Sequence, residues 1–389
     1  MAIEVKDKYY INITAGADIS SVITGPHDLV LLVIDKKAGL SFPTFELTIK
    51  VKDIAPIAGY LSYGNQLSIE IGRTSADADL IWAFPYDVSY NVDGNFYKLN
   101  VKGICELPCV FFNKPFIRYW ENKNSLQVLQ DVLDDMAEFE NMEGIDLQCI
   151  PPNDIQDWYC YNQTPYDFMK YVLKHSYFSD DNFYLIGFDF VEVVLKDFKT
   201  ASSQGPKYIL RWDQEQGGNT LLYDSSSLSF VPGMGMQCTF GAFDRYGYDY
   251  DLNIDQQTKF ETKKMSPAFV GKGFSEGGDF ISDCLPNKKF TQIYHKNEMM
   301  HPHYNHGEHI LRKGLSYHLQ ETIKLSVAGK AVKAKLYDVI RLMEHSNPPP
   351  RNGIPLSGDY LLTGMSYVYA NGNFKTWLTL SREGHNNIQ

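Results

Sequence analysis

Long hydrophobic runs are missing from this 389-residue chain. The clearest, Leu29 to Ile34, falls far short of the roughly 20 apolar residues a membrane-spanning helix needs, and it reads as a strand. The first residues, Met1 to Asp7, carry acids and no apolar centre, which is unlike a secretory signal, so the chain is expected to be made and assembled in the cytosol. Its cysteines, Cys105, Cys109, Cys149, Cys160, Cys238 and Cys284, form no Cys-x-x-Cys pair and no paired zinc spacing. They read as buried free thiols of a reducing compartment. A clustered basic footprint is lacking too, and the net charge is −11. That argues against a protein whose main task is gripping nucleic acid, sequence-specifically or not, while leaving open a passage through which DNA slides without sticking.

Signatures of catalysis are equally scarce. There is no Gly-x-Ser-x-Gly elbow, and no cysteine has a recognisable catalytic neighbourhood. His295, His301, His303, His306, His309 and His318 crowd one stretch, with His306 and His309 one helical turn apart, where two imidazoles could share a metal. No hydrolytic zinc motif accompanies them, and a polar loop leading into a helix explains them better; no metal or cofactor is expected. Gly271 to Asp279 is glycine-rich but lacks the Gly-Lys-Ser/Thr ending of a phosphate loop. The acidic pairs Asp134-Asp135 and Asp180-Asp181 fit a solvated helix face and a turn better than a glycosidase dyad. Asn12-Ile13-Thr14 and Asn162-Gln163-Thr164 match the glycosylation pattern, which means nothing in a cytosolic product.

What is abundant is aromatic residue and short strand. Tyr 26 and Phe 23 favour β-rich structure or large contact surfaces. Tyr9 to Thr14, Asp28 to Asp35, Phe45 to Val51 and Gln66 to Ile71 alternate between breaks at Gly25-Pro26, Gly39 and Gly64-Asn65. A hairpin over Asp79 to Gly103, with its turn at Asp93-Gly94, closes this unit, residues 1–108, as a small antiparallel barrel or sandwich. Residues 109–205 read as an α+β domain. Asn124-Ser125 caps a helix with Leu126, Leu129, Val132, Leu133 and Met136 on one face. A second helix opens at Thr164-Pro165-Tyr166-Asp167; strands Phe183 to Ile186 and Phe190 to Leu195 follow, and Ser202 to Pro206 reads as an exit linker.

Strands resume at Lys207 to Trp212, Leu221 to Tyr223, Ser227 to Val231 and Met236 to Phe240. They return at Ile323 to Val327 and Tyr337 to Met343, before a closing hairpin over Asp359 to Arg382 with its turn at Asn371-Gly372. This is a second β unit, residues 206–250 and 322–389, split by an irregular insertion, 251–321, that ends in a helix. Both hairpin turns run on into Gly-Asn-Phe, and each follows a shorter strand, which is the pattern of a duplicated unit. The fold class is therefore a β-rich α+β multidomain chain with two similar antiparallel β units.

In this order of elements, and in Tyr86 to Val101, Ser125 to Met136, Pro165 to His175 and Gly358 to Arg382, the chain resembles the central baseplate hub proteins of contractile-tailed bacteriophages. That family is related to the base of the type VI secretion spike. The resemblance implies tail-tube-like barrels and a non-enzymatic homotrimer whose six barrels form a pseudo-sixfold ring in the virion. Such a hub joins a central spike protein trimer to the tail tube or tube-initiator proteins, among baseplate wedge proteins, and lets DNA pass during ejection. No appended spike or lysozyme-like segment is recognised, so wall cutting is expected of partners. The alternatives are a tail-associated cell-wall hydrolase and a carbohydrate-binding host-recognition protein.

Overall fold

The computed structural model describes residues 4–5, 9–15, 29–55, 59, 61, 65–72, 74–76, 78–105, 114–139, 144–178, 182–190, 192–213, 218–231, 245–251, 256–261, 290–295, 321–328, 331–343, 356–370 and 372–382. The first unit consists of β1 (Glu4–Val5), β2 (Tyr9–Ala15), β3 (Leu29–Lys37), β4 (Thr44–Val51), β5 (Leu67–Gly72), β6 (Asp79–Asp93) and β7 (Phe96–Cys105). They pair in the order β1-β2-β5-β6-β7-β4-β3. Period-two alternation explains the packing: Ile11, Ile13, Leu32, Ile34, Leu47, Ile49, Ile69, Ile71, Leu99 and Val101 point into one core.

The middle unit runs β8 (Phe116–Lys123), α1 (Ser125–Phe139), β9 (Gly144–Gln148), β10 (Gln156–Gln163), α2 (Pro165–His175), β11 (Tyr184–Phe188), β12 (Glu192–Asp197) and α3 (Phe198–Ser203). Both expected caps are present. The Asn124 Oδ1 accepts the Gln127 N–H at 2.9 Å, and the Gln127 Oε1 accepts the Asn124 N–H in return. At α2, Thr164 Oγ1 accepts the Asp167 N–H, with Pro165 in the first turn. Where a linker over Ser202 to Pro206 is expected, Ser202 and Ser203 instead finish α3. That helix forms because the Asp197 carboxylate caps it through the Thr200 N–H at 2.9 Å.

The last unit contains β13 (Tyr208–Arg211), β14 (Thr220–Val231), β15 (Arg245–Asp251), β16 (Gln256–Glu261), β17 (Phe290–His295), β18 (Glu321–Ala328), β19 (Val339–Leu342), β20 (Gly358–Ala370) and β21 (Asn373–Arg382). Six of these close on themselves: β20-β19-β13-β14-β18-β21 and back to β20. The ring closes over the inner ends of its long strands, β14 meeting β13 only from Thr220 to Leu222 and β20 meeting β19 only from Gly358 to Leu361. The stretch expected to be irregular carries β16 and β17, which form a separate sheet on either side of β15. Its strand signal is weak because Gln256–Glu261 holds a single large apolar residue, Phe260. The strand expected at Met236 to Phe240 and the helix expected near residue 305 lie outside the described residues.

The first and last units share a plan. In chain order, β2 to β7 correspond to β13, β14, β18, β19, β20 and β21, and both sets pair in the same spatial sequence, β2-β5-β6-β7-β4-β3 against β13-β19-β20-β21-β18-β14. Two differences separate them. Among the described residues β2 and β3 do not pair, so the first set is an open array, and β2 runs antiparallel to β5 whereas β13 runs parallel to β19.

Candidate assembly interface

The four turn residues named from the sequence fall at the tips of the two long hairpins. In the first, Asp93 pairs with Phe96, so the two-residue loop is Gly94-Asn95 and Asp93 is the last rung of β6. Gly94 has φ +64°, the positive value that the first position of such a loop requires. Asp93 faces Lys50 at 2.8 Å, and that hydrogen bond and charge hold its carboxyl below the usual carboxylate range. In the second hairpin Ala370 pairs with Asn373, which places the loop at residues 371–372; Gly372 has φ +81°, and Asn371 lies outside the described residues.

Rung for rung, the hairpins match at a spacing of 277 residues, Asp93 to Ala370. Each carries one bulge, and the bulges coincide: Tyr86 is skipped in β6, Thr363 in β20. Beyond the bulge the two differ in what lies alongside. The inner part of β20, Gly358 to Leu361, pairs with β19, and its outer part, Gly364 to Ala370, pairs with β3 of the first unit. This seam merges the two units into one thirteen-stranded sheet with a continuous apolar cluster. It also completes the burial of Tyr367 and Tyr369, both 0% exposed. In β6 the inner part, Asp79 to Ala83, pairs with β5, but among the described residues nothing pairs with that edge from Asp87 to Asp93. Tyr90 and Val92, the counterparts of Tyr367 and Tyr369, are 60% and 71% exposed.

Below the seam the three units are locked by buried charge. Lys36 Nζ, on β3, contacts Asp189 Oδ1 at 2.5 Å, donates to the Ala334 carbonyl at 2.7 Å, and lies over the Phe190 ring. Asp189 Oδ2 accepts the Leu336 N–H. Lys196 reaches Asp338 at 3.2 Å and Asp146 at 3.7 Å, while Lys207 holds the other Asp338 oxygen at 2.8 Å. Burial pushes the Asp338 carboxyl up, but Lys207 and Lys196 outweigh it and leave it below the ordinary range. Lys335 binds Glu192 at 2.8 Å; burial nevertheless dominates there and raises the Glu192 carboxyl. Tyr337, with φ +65°, donates its hydroxyl to the Ile186 carbonyl at 2.6 Å and accepts the Gly39 N–H at 3.0 Å. Burial pushes its phenol up. The charged residues of this cluster carry no mark in the sequence, because partners 50 or more positions apart leave no local pattern.

A second exposed face lies on the β8–β10 ribbon. Tyr119 pairs across it with Tyr159, ring centroids 4.7 Å apart, and Ile117 with Tyr161, all four exposed. The inner face, with Trp120, Trp158 and Cys160, packs on the helices.

The residues weighed for catalysis do not assemble. Asp135 is taken by Arg118, Asp134 points to solvent, and Asp180-Asp181, Gly271 to Asp279 and all the clustered histidines but His295 lie outside the described residues. His295 ends β17. Among the described residues no group of three or more His, Cys, Asp or Glu is arranged to hold a metal ion, and no helix is long and apolar enough to cross a membrane. Cys105, Cys149 and Cys160 are outside any disulfide, and burial raises the thiols of Cys149 and Cys160.

No protein-family model and no curated protein matches the chain. Solved structures do. A tail protein from Neisseria meningitidis MC58 aligns over 97% of this chain and 98% of its own length, with TM-score 0.60 and 10% identity. The 43 kDa tail protein of prophage MuSo2 from Shewanella oneidensis aligns over 97% and 100%, with TM-score 0.58 and 10% identity. The chain has the fold of phage tail proteins. A third similar structure is the E. coli c3393 protein, a type VI secretion component with structural similarity to the T4 bacteriophage tail proteins gp27 and gp5. It covers 97% of this chain and 80% of its own, with TM-score 0.52 and 8% identity. These neighbours are phage tail and type VI secretion proteins, the broad group within which the sequence resemblance falls.

Proposed function

We propose that the chain is a structural, non-enzymatic hub of a phage tail baseplate, acting as a homotrimer. Each copy would supply two tube-like β units, so three copies would present six similar units in a pseudo-sixfold ring, a trimeric spike on one side and the tail tube on the other. Wedge proteins would surround it. The observation that carries this reading is the repeated six-strand order with its coincident bulges, joined by the β3–β20 seam. A threefold particle with sixfold pseudo-symmetry needs a repeated unit and a sideways contact between units, and the β3–β20 seam has the form such a contact would take. The acidic balance suits a lumen that does not retain DNA.

The test is mass measurement with low-resolution imaging of the purified chain, with and without its spike partner. A threefold ring supports the proposal, and its absence at every concentration removes it. Carbohydrate binding has one observation in its favour, the exposed tyrosines of the β8–β10 ribbon. A glycan array that shows no binding would dismiss it.

A further inference from the structure

We infer that the bare outer edge of β6 is the docking site for β14 of a second copy, antiparallel, with Tyr90 opposite Phe230 and Val92 opposite Leu228. The inference rests on the ring reading above and names the strands and register that make the contact between copies.

The argument starts from the contact the chain makes with itself. β3 covers β20 just beyond the bulge at Thr363, with Ile34 opposite Tyr367 and Leu32 opposite Tyr369. In the repeated plan β6 stands where β20 stands, and β14 stands where β3 stands. The edge of β6 just beyond its own bulge is bare among the described residues, and the side chains that β3 would cover there are Tyr90 and Val92.

The other half of the contact is bare as well. On the side away from β18, β14 pairs with β13 only at Thr220 to Leu222, so its edge from Asp224 onward has no strand partner among the described residues. Its register follows from the ladders. Ile34 is opposite Phe45 in β4, and Phe230 is opposite Ile323 in β18; Phe45 and Ile323 are opposite Gly103 and Leu380, which are equivalent rungs of β7 and β21. Phe230 is therefore the counterpart of Ile34 and Ser229 that of Val33; Leu228, on the same face as Phe230 and just where the β14–β18 ladder shifts register, is the residue we set at the place of Leu32.

The face also matches. Leu228 and Phe230 are partly buried residues packed on the barrel core, so Tyr90 and Val92 would extend that apolar face as Tyr367 and Tyr369 extend that of β3. The bulge at Tyr86 and the charges of Asp87 and Asp93 stand at the two ends of this edge, and between them Val88, Tyr90 and Val92 form an apolar row with no proline or charge to oppose pairing. The two edges differ, so the contact is head-to-tail and every copy uses both.

The test is oxidative crosslinking of the full chain carrying Asn91→Cys and Ser229→Cys, which this register places opposite one another. Val33→Cys with Val368→Cys, paired within the chain, is the control of the same geometry. Mass measurement before oxidation reports assembly independently. The expected result is covalent species built across copies, closing at the ring size, with the control closing inside single chains. If the assembly forms and the control closes but Asn91→Cys and Ser229→Cys do not link, the strand assignment is wrong and the ring reading survives. A chain that stays monomeric at every concentration overturns both. As a second readout, Val92→Lys at a position already exposed is expected to leave the fold intact and to weaken assembly by tenfold or more. Tyr119→Lys on the ribbon is expected to leave assembly unchanged; the reverse outcome overturns the inference.

Discussion

Lys36 and Asp189 meet at 2.5 Å, joining a strand of the first β unit to the loop between β11 and β12, with both side chains almost wholly out of water. An ion pair in that position is held by its neighbours. Removing one partner strands the other charge in a poorly solvated site, whereas removing both is far milder. Lys36→Met is therefore expected to cost about 3–5 kcal/mol in urea unfolding. The double variant Lys36→Met/Asp189→Asn should recover a sizeable part of that loss. A cost below 1 kcal/mol for the single variant would show that the pair is solvated.

Tyr337 supports the same junction in a different way. It adopts a left-handed backbone conformation that a bulky residue rarely takes, and its hydroxyl bridges the Ile186 carbonyl and the Gly39 amide. Tyr337→Phe keeps the ring and deletes the bridge, so a loss of about 1–2 kcal/mol is expected in the same assay.

Acid should act on this cluster with a definite sign. The Asp338 carboxyl lies below its ordinary value in the folded chain, so the stability it contributes is fully present above the unfolded value of about 4 and is lost as pH falls through the folded value. Asp338→Asn is expected to unfold at lower urea than the parent at pH 7, and the gap should shrink below pH 4. Glu192 runs the other way: burial raises its carboxyl, so its favourable share is present below the ordinary value and disappears as pH rises through the raised one. Glu192→Gln should accordingly be least costly at neutral pH. Urea titrations from pH 3 to 7 separate the two.

The hairpins show where sequence reading works and where it slips. Turn chemistry and alternation locate both of them, but the shared Gly-Asn-Phe motif aligns them at a spacing of 278, Gly94 to Gly372, whereas the ladders align them at 277. One residue of slip turns a side chain to the other face of a sheet. Phe96 is accordingly 39% exposed and Phe374 is 1% exposed, although the motif treats them as the same residue. The structural partner of Phe374 is Tyr97. Helix caps were legible because they act within four residues; the charge cluster was not, because Lys36 finds Asp189 only after the chain has folded. The middle unit holds a shorter repeat whose two matching residues are too few to stand out in the sequence. Tyr119 and Asn122 recur 40 residues on as Tyr159 and Asn162, each Asn at φ +51° just before a helix cap. The two tyrosines then meet across the ribbon.

Two glycines of the first hairpin should separate backbone strain from crowding. Gly94 has φ +64° with open space around it, so Gly94→Ala pays only for the left-handed conformation, about 1–2 kcal/mol. Gly103 has ordinary backbone geometry, yet a Cβ there would sit 2.2 Å from both the Phe45 ring and the Phe84 carbonyl oxygen. The carbonyl belongs to β6 and cannot swing aside, and Phe45 is buried in the core, so relief requires β6 and β7 to part just where their bulge begins. Gly103→Ala is expected to cost about 3 kcal/mol or more. Because the displaced strand carries the outer arm, the same substitution should also impair assembly, whereas Gly94→Ala should leave assembly near that of the parent. Unfolding curves and mass measurement on the two variants check both halves, and equal stability losses would show that β6 yields at Phe84 more readily than its pairing indicates.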